Sequence, residues 1–363
     1  MWRSRYALGL ELSDYAIKIA EVRIHSGSKP TVTRHATERL PANVIEEGRI
    51  RDKDLAIMAL RNLVNRARPH TRKVHFVLPG ALVMVRFLKL PDLPAKRLRK
   101  VIEFDLKHNV PLPFETPHYD FVKLGVPEHT NRRKKNRRPD RREGRESPGS
   151  GGETAENPLC DVMLAAVPLD TVREYTEVVT AAGLKVRSIE IRPLSLYRLI
   201  ERTGQTEPDG TFLVADVGET VSDLSIFHNG ELRITRSIPI VFSPRRGSGP
   251  DGEPPETHDP GGRSGPDPET VFQSACSDLA HELERLIIFF RYSLNYRDRE
   301  IGRIILSGDA PRLDEIARIL ADRLTPEVRL IDGEAFRLRA FHGEKTFPSL
   351  AVPIGLALRG NRR

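Results

Sequence analysis

Two distant stretches carry one pattern. Leu8-Gly9-Leu10-Glu11-Leu12-Ser13 runs through a short turn into Ala16-Ile17-Lys18-Ile19-Ala20-Glu21-Val22, and Leu213-Val214-Ala215-Asp216-Val217-Gly218 runs through Glu219-Thr220 into Val221-Ser222-Asp223-Leu224-Ser225-Ile226-Phe227. Each opens with an apolar strand, ends it on an acid, places a small residue two positions on and continues into a second strand. A duplicated β-hairpin with matched acids predicts two related lobes that face one another. An acid followed by a tight turn offers backbone N–H groups to a phosphate while its carboxylate holds a magnesium-bound water, so two opposed hairpins form a phosphate clamp. A third stretch, Ile304-Ile305-Leu306-Ser307-Gly308-Asp309-Ala310, leads a buried strand into a turn of small residues before a helix near Arg312, as a base or ribose contact requires.

Around these hairpins the pattern alternates strands with helices, which indicates an α/β protein. Further strands are expected at Lys73–Leu78, Val83–Leu88, Leu159–Val167, Val186–Ile191, Leu232–Ile238 and Val328–Leu330. Asp52–Ala67 sets Leu55, Ala59, Leu60, Leu63 and Val64 on one helical stripe, and Asp170 heads a helix that stops at Gly183. Phe272, Cys276, Leu279, Leu283, Leu286, Ile287 and Phe290 recur at spacings of three and four, predicting a long helix with a buried face.

Two segments break the pattern and read as disordered loops of low hydrophobicity: 127–158, basic and then rich in Gly and Ser, and 243–269, dominated by Pro and Gly. The net charge of +8 sits mainly in the first, where residues 129–146 hold nine Arg and Lys against three acids. No aromatics interleave with that run, which points away from sequence-reading nucleic-acid binding. It is either a solvated loop or a contact for anionic lipid headgroups or an acidic partner.

A chain of 363 residues accommodates two domains or one large bilobed unit. Strictly apolar runs such as Leu286–Phe290 are far shorter than the roughly 20 residues of a membrane-spanning helix, and Met1–Tyr6 carries no apolar signal core. The expectation is a protein without a transmembrane segment that stays in the cytoplasm. Two cysteines, Cys160 and Cys276, fit buried thiols in a reducing compartment and exclude a disulfide scaffold or a zinc site. Gly247–Gly252 matches GxGxxG but opens no helix, and His281-Glu282-Leu283-Glu284-Arg285 lacks the second histidine of HExxH.

The hairpins, Pro41–Asp52, the Leu78-Pro79 and Leu90-Pro91 pairs, Val110-Pro111-Leu112-Pro113-Phe114 with Tyr119-Asp120, Ser307-Gly308 and Ile354-Gly355-Leu356-Ala357-Leu358-Arg359 occur in one order along the chain. In that order they resemble the PilM family of type IV pilus assembly proteins, within the actin-like ATPase superfamily and akin to the division protein FtsA. The resemblance implies a bilobed actin-like, ribonuclease H-like fold. In it, 1–79 and 169–208 form the first lobe, 80–168 an inserted subdomain, and 209–243 with 300–363 the second lobe. Residues 244–299 form a further region containing the long helix 270–295.

It also implies a nucleotide site for ATP and magnesium made of Glu11, Ser13, Lys18, Asp216, Gly218, Thr220, Glu282, Arg285, Ser307 and Gly308, with Asp216 and Glu11 on the metal. The partner it implies is the N-terminal cytoplasmic peptide of a PilN-like inner-membrane protein, along with other pilus machinery, at the inner face of the membrane.

Departures from the family pattern bear on function. Glu11-Leu12-Ser13 stands where Asp-x-Gly is usual, Arg236–Val241 lacks a Gly-Gly, and Asp309 replaces a glycine. Asp216, Gly218 and Thr220 are read either as magnesium-phosphate contacts or as a hairpin kept for folding. Glu11 and Ser13 carry the same two readings. Glu282 and Arg285 reach ribose and base or form a solvated face, and Lys18 contacts phosphate or is the polar half of a strand. The leading expectation is a scaffold of pilus assembly with a degenerate nucleotide site. The alternatives are an ATPase that hydrolyses nucleotide, or an adaptor that binds anionic membrane through the basic loop.

Overall fold

The computed structural model describes residues 5–25, 28–125, 158–206, 210–242, 267–338 and 346–360. By compactness the chain divides into two units, Met1–Val83 with Leu169–Arg363, and Met84–Pro168.

In the first unit, strands with consecutive apolar residues are covered on both faces. Arg5–Leu12 (β1) pairs antiparallel with Ala16–Ile24 (β2), bringing Glu11 opposite Lys18, and Thr31–Arg39 (β3) adds antiparallel to β2. Ile45–Glu46 (β4) and Arg49–Ile50 (β5) make a short ribbon ahead of helix Lys53–Ala67 (α1). Asp52 caps α1 by accepting from Leu55 N at 2.9 Å. The chain then returns through Lys73–Val77 (β6), parallel to β1. After the second unit, helix Leu169–Ala181 (α3) leads to Lys185–Glu190 (β10), parallel to β6.

The second half repeats this plan. Helix Arg192–Thr203 (α4) connects to Thr211–Val217 (β11), Val221–His228 (β12) and Glu231–Pro239 (β13), which form an antiparallel meander. Helix Pro268–Ile288 (α5) precedes Arg303–Gly308 (β14), and helix Leu313–Arg323 (α6) precedes Glu327–Leu330 (β15); both strands run parallel to β11. The sheets therefore order as β10-β6-β1-β2-β3, extended by Arg337–Leu338 (β16), and as β15-β14-β11-β12-β13. Each is a three-stranded meander followed by two parallel strands, so the hairpin repeat in the sequence is a repeat of topology. Helix Ala351–Leu358 (α7), buried on nearly every side, packs on β1, β2 and α4.

The long helix differs from the expected 270–295. It starts at Pro268, capped by Asp267, and stops at Ile288, where Phe289–Ser293 continues as a π-helical turn that keeps Phe290 buried. The expected loops 127–158 and 243–269 fall, apart from Pro158 and Asp267–Glu269, outside the described residues.

The second unit is a three-stranded antiparallel sheet with one helix on it. Leu159–Pro168 (β9) lies between Met84–Pro91 (β7) and Pro117–Lys123 (β8). Helix Ala95–His108 (α2) lays Leu98, Ile102 and Leu106 on Leu90, Cys160, Val162 and Leu164. The Arg99 guanidinium covers the rings of Tyr119 and Phe121 at 5.7 and 5.1 Å. Both cysteines are free and buried.

Candidate functional site

Within the first unit, the turns of β1–β2 and β11–β12 line one cleft with Gly80, Arg192 and Asp309. The β1–β2 turn is closed by its own serine: Ser13 N donates to Ala16 O at 2.9 Å, and the Ser13 hydroxyl accepts from Ala16 N at 3.2 Å. Its counterpart is closed by Gly218 N donating to Val221 O at 3.1 Å, and a Cβ at Gly218 would stand 2.6 Å from that same oxygen. Glycine is required there by close approach. At Gly308 it is required by conformation, with φ at +111° and a Cβ that would meet Val217 O at 2.1 Å.

Register places the acids. Asp216 on β11 lies opposite Asp223 on β12 and opposite Ser307 on β14, so three neighbouring strands point polar groups into one place. Ser307 Oγ donates to Asp216 Oδ1 at 2.8 Å, and Ser237 Oγ donates to Asp223 Oδ1. Arg192, the first residue of α4, joins the two sheets. Its Nη1 donates at 2.6 Å to Glu11 Oε1 of one sheet and at 2.6 Å to Asp216 Oδ2 of the other. Its Nε lies 2.9 Å from Asp223 Oδ2 without hydrogen-bonding alignment.

Lys18 completes the network at 2.5 Å from Asp309 Oδ2 and 3.7 Å from Glu11 Oε2, and Tyr15 Oη donates to Asp309 Oδ1. Glu11, Lys18, Asp216 and Asp223 are all buried. Burial alone would lower the pKa of both cations. Glu11, Asp216 and Asp223 overcome it at Arg192, and Glu11 and Asp309 at Lys18, so both titrate above their ordinary values. Burial and then the Asp309 charge push the Tyr15 phenol well up, keeping it a neutral donor.

The structure thus brings Glu11, Ser13, Lys18, Asp216, Gly218, Thr220 and Gly308 to one cleft, with Ser307 bonded to Asp216 behind it. Lys18 is a buried member of the network. Glu282 and Arg285 pair with each other at 2.5 Å, one turn apart on α5, with Arg285 largely exposed, and neither is among the cleft's lining residues. Arg192, Asp223 and Tyr15 were not anticipated. A count of buried charges gives the missing signal: acids placed at matched hairpin positions need more cation than Lys18 supplies.

The donor set does not fit a magnesium nucleotide as it stands. Glu11 and Asp216, the expected metal ligands, each have an oxygen bound by Arg192. Among the described residues no group of three or more His, Cys, Asp and Glu is arranged to hold a metal ion. Six charged side chains meet here, four acids and two cations, a net balance unfavourable to an incoming polyphosphate.

Residues 9–137 match the family model for type IV pilus assembly protein PilM. Among solved structures, one titled as the PilM-PilN type IV pilus biogenesis complex superposes with a TM-score of 0.74 at 24% identity, covering 98% of this chain and 99% of that one. The ethanolamine utilization protein EutJ from Carboxydothermus hydrogenoformans superposes with a TM-score of 0.50 at 14% identity, covering 97% of this chain and 89% of that one. The fold is the actin-like ATPase fold. Residues 9–137 are thus similar in sequence to the PilM family model, and the fold is shared with the PilM-PilN structure over nearly all of the chain.

Proposed function

We propose that this chain is a PilM-type cytoplasmic scaffold of type IV pilus assembly. In this reading it holds the N-terminal cytoplasmic peptide of a PilN-like inner-membrane protein and is kept at the membrane face through that partner. The observation that carries the reading is the likeness, over 98% of the chain, to the structure of a PilM–PilN complex. Met84–Pro168, a small sheet-and-helix unit with its own core, is the proposed partner platform. No described helix is long and apolar enough to cross a membrane, so attachment through a partner is the simplest route to the membrane face.

The cleft of Glu11, Ser13, Lys18, Asp216, Gly218, Thr220, Ser307 and Gly308 is, in this proposal, a degenerate nucleotide site whose role is structural. Support comes from Arg192, which bonds carboxylates of both sheets at 2.6 Å. Deleting the gene in a piliated host and complementing it with the wild type or with Thr220→Ala, a substitution in the cleft outside the ion network, tests the reading. The scaffold account expects pili to disappear on deletion and to return with both genes. Magnesium-dependent ATP turnover by the purified chain, abolished in Asp216→Ala, would instead make it an ATPase; the intact Asp216–Thr220 hairpin is what keeps that second reading in view.

A further inference from the structure

The cleft holds a cation that belongs to the chain. Arg192 occupies the centre of three carboxylates drawn from two sheets: Glu11 at 2.6 Å, Asp216 at 2.6 Å and Asp223 at 2.9 Å. Its side chain is 12% exposed. Bridging acids of opposed strands is the work a bound divalent ion performs, because one multivalent centre satisfies oxygens that would otherwise repel across the cleft.

A guanidinium has the donor geometry to do this from a fixed position. Here that position is set by the backbone. Arg192 begins α4 directly before Pro193, Ser195 Oγ donates back to Arg192 O at 2.8 Å, and α4 is packed under α7. The arginine therefore reaches into the cleft from a rigid helix start.

Resting on the reading of this cleft as a nucleotide-type site, we propose that Arg192 is a built-in replacement for the divalent cation, clamping Glu11 of the first sheet to Asp216 and Asp223 of the second so that this unit holds its arrangement without ligand. The site's preference is thereby changed. With Arg192 in place the carboxylates have no oxygen set to offer a metal; with it removed, three buried acids face one another beside Lys18 with their repulsion uncompensated, and a divalent cation drawn into the cleft offsets it.

The test is thermal unfolding of the full chain, wild type and Arg192→Met, in EDTA and in millimolar magnesium chloride, with sodium chloride matched for ionic strength. The wild type is expected to show the same midpoint in all three. Arg192→Met is expected to unfold roughly 6 °C or more lower in EDTA, since removing one partner leaves buried charge uncompensated, and to recover with magnesium in a saturable way that sodium does not reproduce.

A variant that responds to magnesium no more than the wild type overturns the proposal, as does a wild type whose own midpoint rises with magnesium. Arg192→Lys keeps the charge on a shorter side chain, whose ammonium falls short of the place that Nη1 holds between Glu11 and Asp216. Its midpoint is expected to show a smaller but distinct magnesium response, and it decides the matter by itself if Arg192→Met fails to fold in every buffer. Binding of the PilN-like peptide to the same samples separates the two readings: loss of the magnesium response leaves peptide binding untouched, and loss of peptide binding leaves the magnesium response in place.

Discussion

Replacing Gly355 by alanine tests whether α7 positions the helix that carries Arg192. A Cβ at Gly355 would stand 2.0 Å from Ser195 O, against an ordinary contact of 3.4 Å or more, so α7 and the first turn of α4 must separate by about 1.4 Å. The obstacle is backbone within a helix that is itself held to α7, where Arg198 Nη1 donates to Gly355 O at 2.8 Å, so side-chain rotation gives no relief.

Moving the start of α4 by even 1 Å would lengthen the 2.6 Å bonds from Arg192 beyond the roughly 3.2 Å limit of a good hydrogen bond. Overpacking of this kind costs about 1–3 kcal/mol, which lowers the midpoint by roughly 2–10 °C in a unit of this size. Urea unfolding of Gly355→Ala, Arg192→Met and the double variant forms a cycle, and the two effects should be non-additive by more than about 0.5 kcal/mol because the first displaces what the second removes. Gly302→Ala, where nothing lies within 4 Å of a Cβ, is the neutral control. Additive effects, or a Gly355→Ala protein as stable as that control, would refute the reasoning.

Other outcomes follow from the same geometry. His75 is buried, and burial first, with Arg359 and Arg198 adding to it, lowers its pKa to about 4 from an ordinary 6.5. A depressed histidine contributes stability that is fully present above about pH 6.5 and lost as pH falls toward 4; by pH 5 the loss is about 2 kcal/mol, and His75→Asn should remove that part of the pH dependence in urea titrations at pH 7 and 5. Ile102→Ala, taking a fully buried side chain from the core of the Met84–Pro168 unit, should cost about 2–5 kcal/mol, read as faster hydrogen exchange in α2, β7 and β9. Glu282→Ala with Arg285→Ala removes an exposed pair one turn apart and should change the midpoint by less than the equivalent of about 1 kcal/mol, with no change in any magnesium or nucleotide response.

Much of the fold was legible because buried strands announce themselves: β1, β2, β11 and β12 are apolar runs bounded by small residues, and their acids marked the cleft. Thr31–Arg39 does not announce itself as a strand, because only its first three residues are buried and most of the rest are polar. The helix α4 carries no polar cap at Ile191, and Pro193 in its first turn is a start signal unsupported by a capping residue or a charge pattern.

Its arginine was illegible for a related reason. The partners it joins are 181 and 24 positions away, and no spacing rule along one element connects them. Periodicity identified the long helix, yet the π-helical turn at Phe289–Ser293 preserves a buried Phe290 after the α-helix has ended, which carried the expected boundary too far.

The most direct measurement for the scaffold account is fluorescence anisotropy of a labelled N-terminal cytoplasmic peptide from the PilN-like protein of the same genome, titrated with the purified full chain in EDTA and in magnesium-ATP. The account predicts saturable binding of equal strength in both, lost with a scrambled peptide. Absence of binding, or binding that appears only with magnesium-ATP, would contradict it.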